Sequence, residues 1–351
     1  MTTLHRPAAP SRGFAFRSLF DSCLPLLGGG WRPIWLVICV VAALAAQNAA
    51  ALDLQGHRGA RGLAPENTLP AFERALALGV STLELDVGLT ADGVVVVAHD
   101  PWLNPLITRD AAGQWLPGSK GPLIRSLTLA QLQAYDVGRI QPGTPYATTF
   151  GSQQPVDGTR IPTLAALFER VKLLGASQVR FNIETKLNPE QPGDTASPQQ
   201  LTEALLQVVR DAGLLNRVSI QSFDWRTLQI VQRLEPTLPT VYLSVQSTNS
   251  DTISSGAWTA GFKASEHASV PAMVKAAGGK VWSPNGGATT QALVQQAQAL
   301  GLKVIPWTIN QPADMERLIG WGVDGLITDY PDRLREVMRQ RQLPLPAPLK
   351  N

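Results

Sequence analysis

After residue 51 the chain alternates, about eight times, a short β-type run with a segment of helical period. The β-type runs fall at 52–56, 81–89, 178–184, 217–222, 239–245, 280–283, 302–307 and 323–327. Between and after them, apolar residues recur with helical spacing at 69–78, 163–174, 199–212, 225–233, 269–277, 289–299, 312–319 and 331–340. Strands separated by helices run parallel, because each crossover returns the chain to the same edge of the sheet. Eight such units in about 300 residues close on themselves, so the expected fold is α/β, a TIM (β/α)8 barrel spanning 52–351 as one domain.

Three stretches depart from the rhythm. The run VVVVAH (94–99) follows strand 81–89 after Thr90-Ala91-Asp92-Gly93, and Asp-Gly between two β-type runs signals a hairpin. Residues 100–160 are rich in Pro, Gly and polar groups, with one short helical piece at 128–134, and read as an insertion after the second strand, over the barrel mouth. Residues 246–267 are irregular, and the Pro-rich tail, 342–351, reads as loose.

Charge and cysteine belong to the leader, residues 1–51. Arg6, Arg12, Arg17 and Arg32 face only Asp21 there, a net of +3, while the remaining 300 residues balance 26 basic against 26 acidic groups. The sequence pI near 9.0 therefore carries no implication of nucleic acid. Residues 34–46, IWLVICVVAALAA, are thirteen apolar residues after Arg32, followed by Ala49-Ala50-Ala51. This is short for a bilayer span of about 20 residues. A basic flank, a short apolar core and small residues at the exit predict a signal peptide cleaved near Ala51, and a periplasmic or secreted protein with no stable span after processing. An uncleaved N-terminal anchor is the alternative, and the long stretch before Arg32 leaves room for a start codon downstream of Met1. Both cysteines, Cys23 and Cys39, lie in this leader, so the body has neither a thiolate nucleophile nor a Cys-ligated zinc.

In parallel barrels, reacting groups stand at the C-terminal ends of strands. The first strand here ends in Gly56-His57-Arg58-Gly59. The second carries Glu84 and Asp86, two residues apart and so on one face. The hairpin returns to His99-Asp100, and the next strand supplies Asn182, Glu184 and Lys186. Later strands end in Gln221-Ser222-Phe223-Asp224, Trp307-Thr308-Ile309-Asn310 and Thr328-Asp329. Any one of these could be structural; a core would not choose all of them.

The residue types then limit the chemistry. Paired inward carboxylates repel unless they share a proton or a cation. Glu84, Asp86 and Glu184 are oxygen donors only, which favours one hard divalent cation, Ca²⁺ or Mg²⁺. Arg58 and Lys186 add positive charge beside them, a clamp for a phosphoryl group. His57 and His99 titrate near neutrality and can divide acid and base work. The set points to metal-assisted phosphoryl transfer or phosphodiester cleavage. GHRGARG lacks the order of a nucleotide-binding loop.

The strings GHRGARGLAPENTLPAFERAL and LELDVGLTADGVVVVAHD, with FNIETK, IQSFDW, VIPWTIN and GVDGLITDYP, resemble the glycerophosphodiester phosphodiesterase family from about residue 53 to 340. The resemblance implies a TIM barrel with an insertion after the second strand. It implies that His57 and His99 are the acid/base pair, that Glu84, Asp86 and Glu184 hold a divalent ion, and that Arg58 and Lys186 face phosphate. It implies that Trp307 lies against the glycerol part of a small glycerophosphodiester, and that Glu66 and Asn67 support the start of the first helix. The implied reaction is attack of the free glycerol hydroxyl on phosphorus, then opening of a cyclic phosphate by water, yielding sn-glycerol 3-phosphate and an alcohol such as choline or ethanolamine. The order in which the histidines act and the oligomeric state stay open.

Two rivals use the same residues differently. A phospholipase D-like lyase on lysophospholipid or sphingomyelin would need an apolar rim, for which Trp102, Trp115, Tyr146, Trp225 and Trp258 are candidates. A non-catalytic phosphodiester-binding protein would be expected to have lost one of the seven catalytic and charged positions, and none is lost. His267 reads as a surface residue.

Overall fold

The structure is a computed structural model, and it describes residues 51–349. Its strands, in chain order, are β1 (Asp53–Gly56), β2 (Thr82–Leu89), β3 (Val95–Val97), β4 (Arg180–Thr185), β5 (Val218–Ser222), β6 (Thr240–Ser244), β7 (Gln246–Ser247), β8 (Ser250–Asp251), β9 (Val281–Pro284), β10 (Lys303–Val304) and β11 (Gly325–Thr328). Eight of them pair in parallel in the order β10-β9-β6-β5-β4-β2-β1-β11. β3 runs antiparallel on β2, as the Asp92-Gly93 turn implies, with Gly93 at φ +77°. β7 and β8 form a separate two-stranded hairpin.

The two ends of the sheet meet. Asp324 N–H donates to the Val304 carbonyl at 2.9 Å, Ile327 N–H to that of Pro306 at 3.0 Å, and Ile309 N–H to that of Ile327 at 2.9 Å. These bonds join β10 to β11 and close a (β/α)8 TIM barrel. The expected strand 302–307 is cut to two residues because Pro306 has no N–H to give a ladder.

Helices follow the strands closely to the bounds that periodicity implies, for instance Leu69–Leu78 and Pro331–Gln340. Their starts are chemically marked. Thr68, Thr163, Ser197, Asp224, Ser269 and Thr290 each accept a backbone N–H of the first turn, which satisfies a donor the helix cannot.

The period of two sorts each strand's side chains. On β2, Leu83, Leu85 and Val87 join the main core with Phe72, Leu76, Leu164, Phe168, Phe181 and Ile183, all buried. The alternate residues, Glu84 and Asp86, point into the barrel. Its interior is split. Under β1, β2, β4 and β5 it is polar: Asn182 Nδ2 donates to Gln55 Oε1 at 2.9 Å and to Gln221 Oε1 at 2.8 Å. Under β6, β9, β10 and β11 it is apolar, with Val241, Val281, Ile305 and Ile327 packed beneath Trp307.

The 100–160 stretch packs Leu103, Ile124, Leu132 and Val137 into a small separate core with Val96 of β3 and Ile161 just past it. Besides the expected piece, now Leu129–Leu132 with a Thr128/Gln131 capping box, it holds a second short helix, Pro145–Thr149, which its composition hid. The tail corrects the expectation of a loose end. Arg335 Nη1 donates to the Pro346 carbonyl at 2.7 Å, Leu349 N–H donates to that of Leu76 at 2.9 Å, and Leu343 and Leu349 pack on the main core. Proline there favours an extended path along the barrel floor. The predicted leader falls outside the described residues except for Ala51. Among the described residues, no helix is long and apolar enough to cross a membrane.

Candidate active site

The turn after β1 is built for close approach. A side chain on Gly56 would put its Cβ 2.1 Å from the Gly59 carbonyl oxygen, and one on Gly59, at φ +85°, would meet the backbone of Ala71 at 2.7 Å. Between these glycines Arg58 is itself left-handed, at φ +50°. For a residue with a Cβ this costs about 1–2 kcal/mol. Its backbone N–H donates to Glu84 Oε2 at 2.7 Å, which holds the strained turn and ties β1 to β2. Asn67, also left-handed at φ +55°, donates Nδ2–H to Asp86 Oδ2 at 2.8 Å.

Parallel register sets the acids side by side: Asp86 pairs with Glu184, and Glu184 with Gln221. Glu84, Asp86 and Glu184 are buried and offer oxygens that all lie within 4.8 Å of one another. Gln221 Nε2 donates to Glu84 Oε1 at 2.7 Å, and Lys186 Nζ donates to Glu184 Oε1 at 2.7 Å. Asp86 Oδ1 is buried without a hydrogen bond, with Lys186 Nζ 3.7 Å away. A buried carboxylate oxygen left bare among three acids is a place for a cation. The donor set, oxygen only, fits a hard divalent ion.

Electrostatics agree with this fit. Burial and the neighbouring charge of Asp86 push Glu84 well above the usual carboxylate range. Burial outweighs Lys186 at Glu184 and, with Asp86 adding to it, raises that carboxyl to about 7. Asp86 stays ionised: burial opposes its charge, but His99, Lys186 and Arg58 hold it far below the ordinary value.

Each histidine is held by a carboxylate through Nδ1. His57 Nδ1 lies 2.6 Å from Asp329 Oδ1, and His99 Nδ1 lies 2.8 Å from Asp100 Oδ1. Despite its own burial, Asp329 is kept ionised by His57 and Arg61, so Nδ1 of His57 is the donor. Burial and the charge of Arg61 pull His57 down to about 4 against Asp329. The ring is thus neutral near pH 7, with Nε2 bare and 3.9 Å from Glu84 Oε2. Burial, then Arg58 and Lys186, lower His99 as well.

Lys186, Arg58, both histidines and the three acids therefore share one end of the barrel. Trp307 stands on the apolar half, its indole N–H on the Ser283 carbonyl at 3.0 Å and its ring edge-on to Phe223 at 5.2 Å. Lys186 Nζ lies 5.8 Å from the Phe223 ring. His267 lies outside this set, partly exposed beside Phe262. Of the candidate rim aromatics, Trp225 is wholly buried against Tyr242 and lines no exposed edge, while Tyr146 is half-buried and donates its hydroxyl to Glu66.

Reasoning from sequence missed the partners. Asp329 was visible only as a polar strand end; nothing local links it to His57, 272 residues away. Arg61 grips the same carboxylate through Nε at 2.8 Å and Nη2 at 3.0 Å, and Asn310 Nδ2 donates to it at 2.7 Å. Asp100 directly follows His99, a signal that adjacency offered. Tyr146 lies in a segment without periodicity and stood out only as a candidate rim aromatic; no pattern linked it to Glu66.

A profile of the glycerophosphoryl diester phosphodiesterase family matches residues 57–333. The chain is 31% identical over 284 residues to a glycerophosphodiester phosphodiesterase of Caldanaerobacter subterraneus subsp. tengcongensis, covering 81% of this chain and 96% of that protein. It is 29% identical over 295 residues to a glycerophosphodiester phosphodiesterase of Bacillus subtilis, covering 81% and 85%. A solved structure from Silicibacter pomeroyi DSS-3 that bears the same family name superposes with a TM-score of 0.76 at 36% identity, covering 85% of this chain and 96% of that one.

Proposed function

Because the chain belongs to the glycerophosphoryl diester phosphodiesterase family and is an enzyme of that class, we propose that it hydrolyses small glycerophosphodiesters to sn-glycerol 3-phosphate and an alcohol. Glycerophosphocholine and glycerophosphoethanolamine are the substrates to offer. The observation that carries this reading is the pairing of two carboxylate-held histidines with three clustered acids and two cations at one barrel mouth.

Glu84, Asp86 and Glu184 would hold one divalent cation, Ca²⁺ or Mg²⁺, which when bound supplies charge against the phosphate and acidifies a nearby hydroxyl. Arg58 and Lys186 face the phosphate oxygens, and Trp307 packs on the glycerol carbons. His57, neutral and with Nε2 bare beside Glu84, takes the proton of the free glycerol hydroxyl as that oxygen bonds to phosphorus. His99 gives a proton to the departing alcohol oxygen as its bond to phosphorus breaks. A cyclic phosphate and the free alcohol result. Water then adds to phosphorus, losing its proton to His99, and His57 returns its proton to the released glycerol oxygen. Both rings end as they began.

Depth supports this division. The His57 side chain is 11% exposed and that of His99 31%, so His99 stands nearer the solvent through which the alcohol leaves. His57 starts neutral under burial and Arg61, whereas His99 starts protonated: the phosphate anion, with Asp86 and Asp100, raises it against burial and the two cations.

Asp329 fixes the His57 tautomer. Asp329→Asn leaves the size unchanged but allows an amide N–H to face Nδ1, and loss of such an orienting carboxylate can cost up to about 10⁴-fold in kcat. We expect a fall of at least about 10²-fold, with an unchanged circular dichroism spectrum. Wild-type kcat in this variant would remove Asp329 from the account. The reaction itself is tested by offering both diesters to protein purified from the full-length sequence and measuring sn-glycerol 3-phosphate and free alcohol. Equal release of the two supports the reading; release of a cyclic phosphate as the end product would favour the lyase.

A further inference from the structure

Past Asp100, which holds His99, the insertion supplies no group to the reaction above, yet its helix Pro145–Thr149 meets the loop that carries His57 and Arg58 through Tyr146 and the adjoining Phe150. The Tyr146 hydroxyl donates to Glu66 Oε2. The other oxygen of Glu66 accepts from Arg58 Nη1 at 2.6 Å, and Arg58 Nε lies 3.4 Å from Asp86 Oδ2 with no hydrogen bond of its own. Just past the helix, the Phe150 ring lies 4.6 Å under the Arg61 guanidinium, the group that grips Asp329 and so steadies His57. Tyr146 and Phe150 pack edge to face at 4.9 Å. Three bonds pin the stretch to the barrel: Gln153 Nε2–H to the Arg61 carbonyl at 2.7 Å, Gln154 N–H to that of Leu63 at 3.0 Å, and Tyr330 O–H to that of Thr149 at 3.4 Å.

We infer that Tyr146 is a positioning residue of the active site, which through Glu66 sets the direction of the Arg58 guanidinium, and that the insertion is a working part of the site. Glu66 is buried and charged, so both of its oxygens need donors. Arg58 supplies one and Tyr146 the other. Without the tyrosine hydroxyl, Glu66 Oε2 draws on Arg58, whose Nε–H is buried without a hydrogen bond. That pull rotates the guanidinium away from the phosphate. The inference rests on Arg58 facing phosphate in the reading above.

The test is Tyr146→Phe, made in the full chain, because the ring and its packing on Phe150 survive while the donor goes. Inorganic phosphate is titrated calorimetrically into wild type and variant in the presence of Ca²⁺, beside steady-state kinetics on glycerophosphocholine. We expect the phosphate Kd to weaken by about tenfold or more, the scale of losing a hydrogen bond to a charged group. KM should rise in step, with an unchanged thermal midpoint. In Glu66→Gln/Tyr146→Phe the two effects should fail to add, since both act through one contact. A phosphate Kd equal to wild type in Tyr146→Phe, or strict additivity, overturns the inference. Wild type that binds phosphate but turns over no diester would sink the proposed activity while leaving the Tyr146 comparison decisive. Wild type that binds no phosphate would sink both.

Discussion

His57→Ala and His99→Ala are each expected to lower kcat on glycerophosphocholine by about 10²–10⁴-fold, the range for positioned proton transfer. Neither change should unfold the protein, because each ring lies at the mouth and its carboxylate partner keeps other donors. Asp329 retains Arg61 and Asn310, and Asp100 retains Asn104 Nδ2 at 2.8 Å. The two variants should separate when the leaving group changes. With the p-nitrophenyl diester of glycerol 3-phosphate, the departing phenolate needs no proton. His99→Ala should recover most of its first-step rate on that substrate, and His57→Ala should not. Recovery by both, or by His57→Ala alone, would reverse or cancel the assigned roles. Either variant keeping more than about a tenth of the wild-type rate on glycerophosphocholine removes that residue from the chemistry.

Glu184→Gln should act in opposite directions on metal binding and on metal-free stability. The amide oxygen can still accept from Lys186, but the charge is gone. Removing even an outer hydrogen-bonding partner of a metal site costs about 10–100-fold in affinity, so removing one of three charged ligands should cost at least about 10²-fold for Ca²⁺ or Mg²⁺. Calorimetric titration reads this directly, and an unchanged affinity would exclude Glu184 as a ligand. In the metal-free protein the same carboxylate is a burden. Its value of about 7 lies above that of an exposed carboxyl, because burial, with the charge of Asp86 adding to it, penalises the ionised form. On this group alone, stability is greatest below the unfolded carboxyl range and is lost as pH rises through about 7. Glu184→Gln should therefore raise the metal-free thermal midpoint at pH 8, while weakening the rise expected when Ca²⁺ is added to wild type. A lower metal-free midpoint at pH 8 would contradict the clustering of like charges.

The barrel was legible because its signals are local. Apolar periodicity, Ser/Thr caps and the Asp-Gly turn each act within a few residues, and the elements match to within a few positions. β10 is the exception: Pro306 interrupts a run whose hydrophobicity reads as a full strand. The acids and histidines were legible for a related reason, since parallel strands gather their C-terminal ends whatever the loops do. The partners were not. Asp329 reaches His57, and Tyr146 reaches Glu66, only after the sheet has closed and the insertion has folded back. Such pairings depend on register and packing, which no window of sequence carries. The polar half-interior of Gln55, Asn182 and Gln221 lies between these cases. Its residues stood out as polar in strands, but their mutual bonds follow from the register of β1, β4 and β5.

The most direct measurement is release of sn-glycerol 3-phosphate from glycerophosphocholine by the purified protein, first stripped with EDTA and then given Ca²⁺ or Mg²⁺. Product that is absent after stripping and returns with either ion is the predicted result, and it joins substrate class, product and cation in one readout. Full turnover in the stripped protein, with the cation shown to be gone, would contradict the role given to Glu84, Asp86 and Glu184. No turnover of any glycerophosphodiester by folded protein with either ion would contradict the proposed function itself.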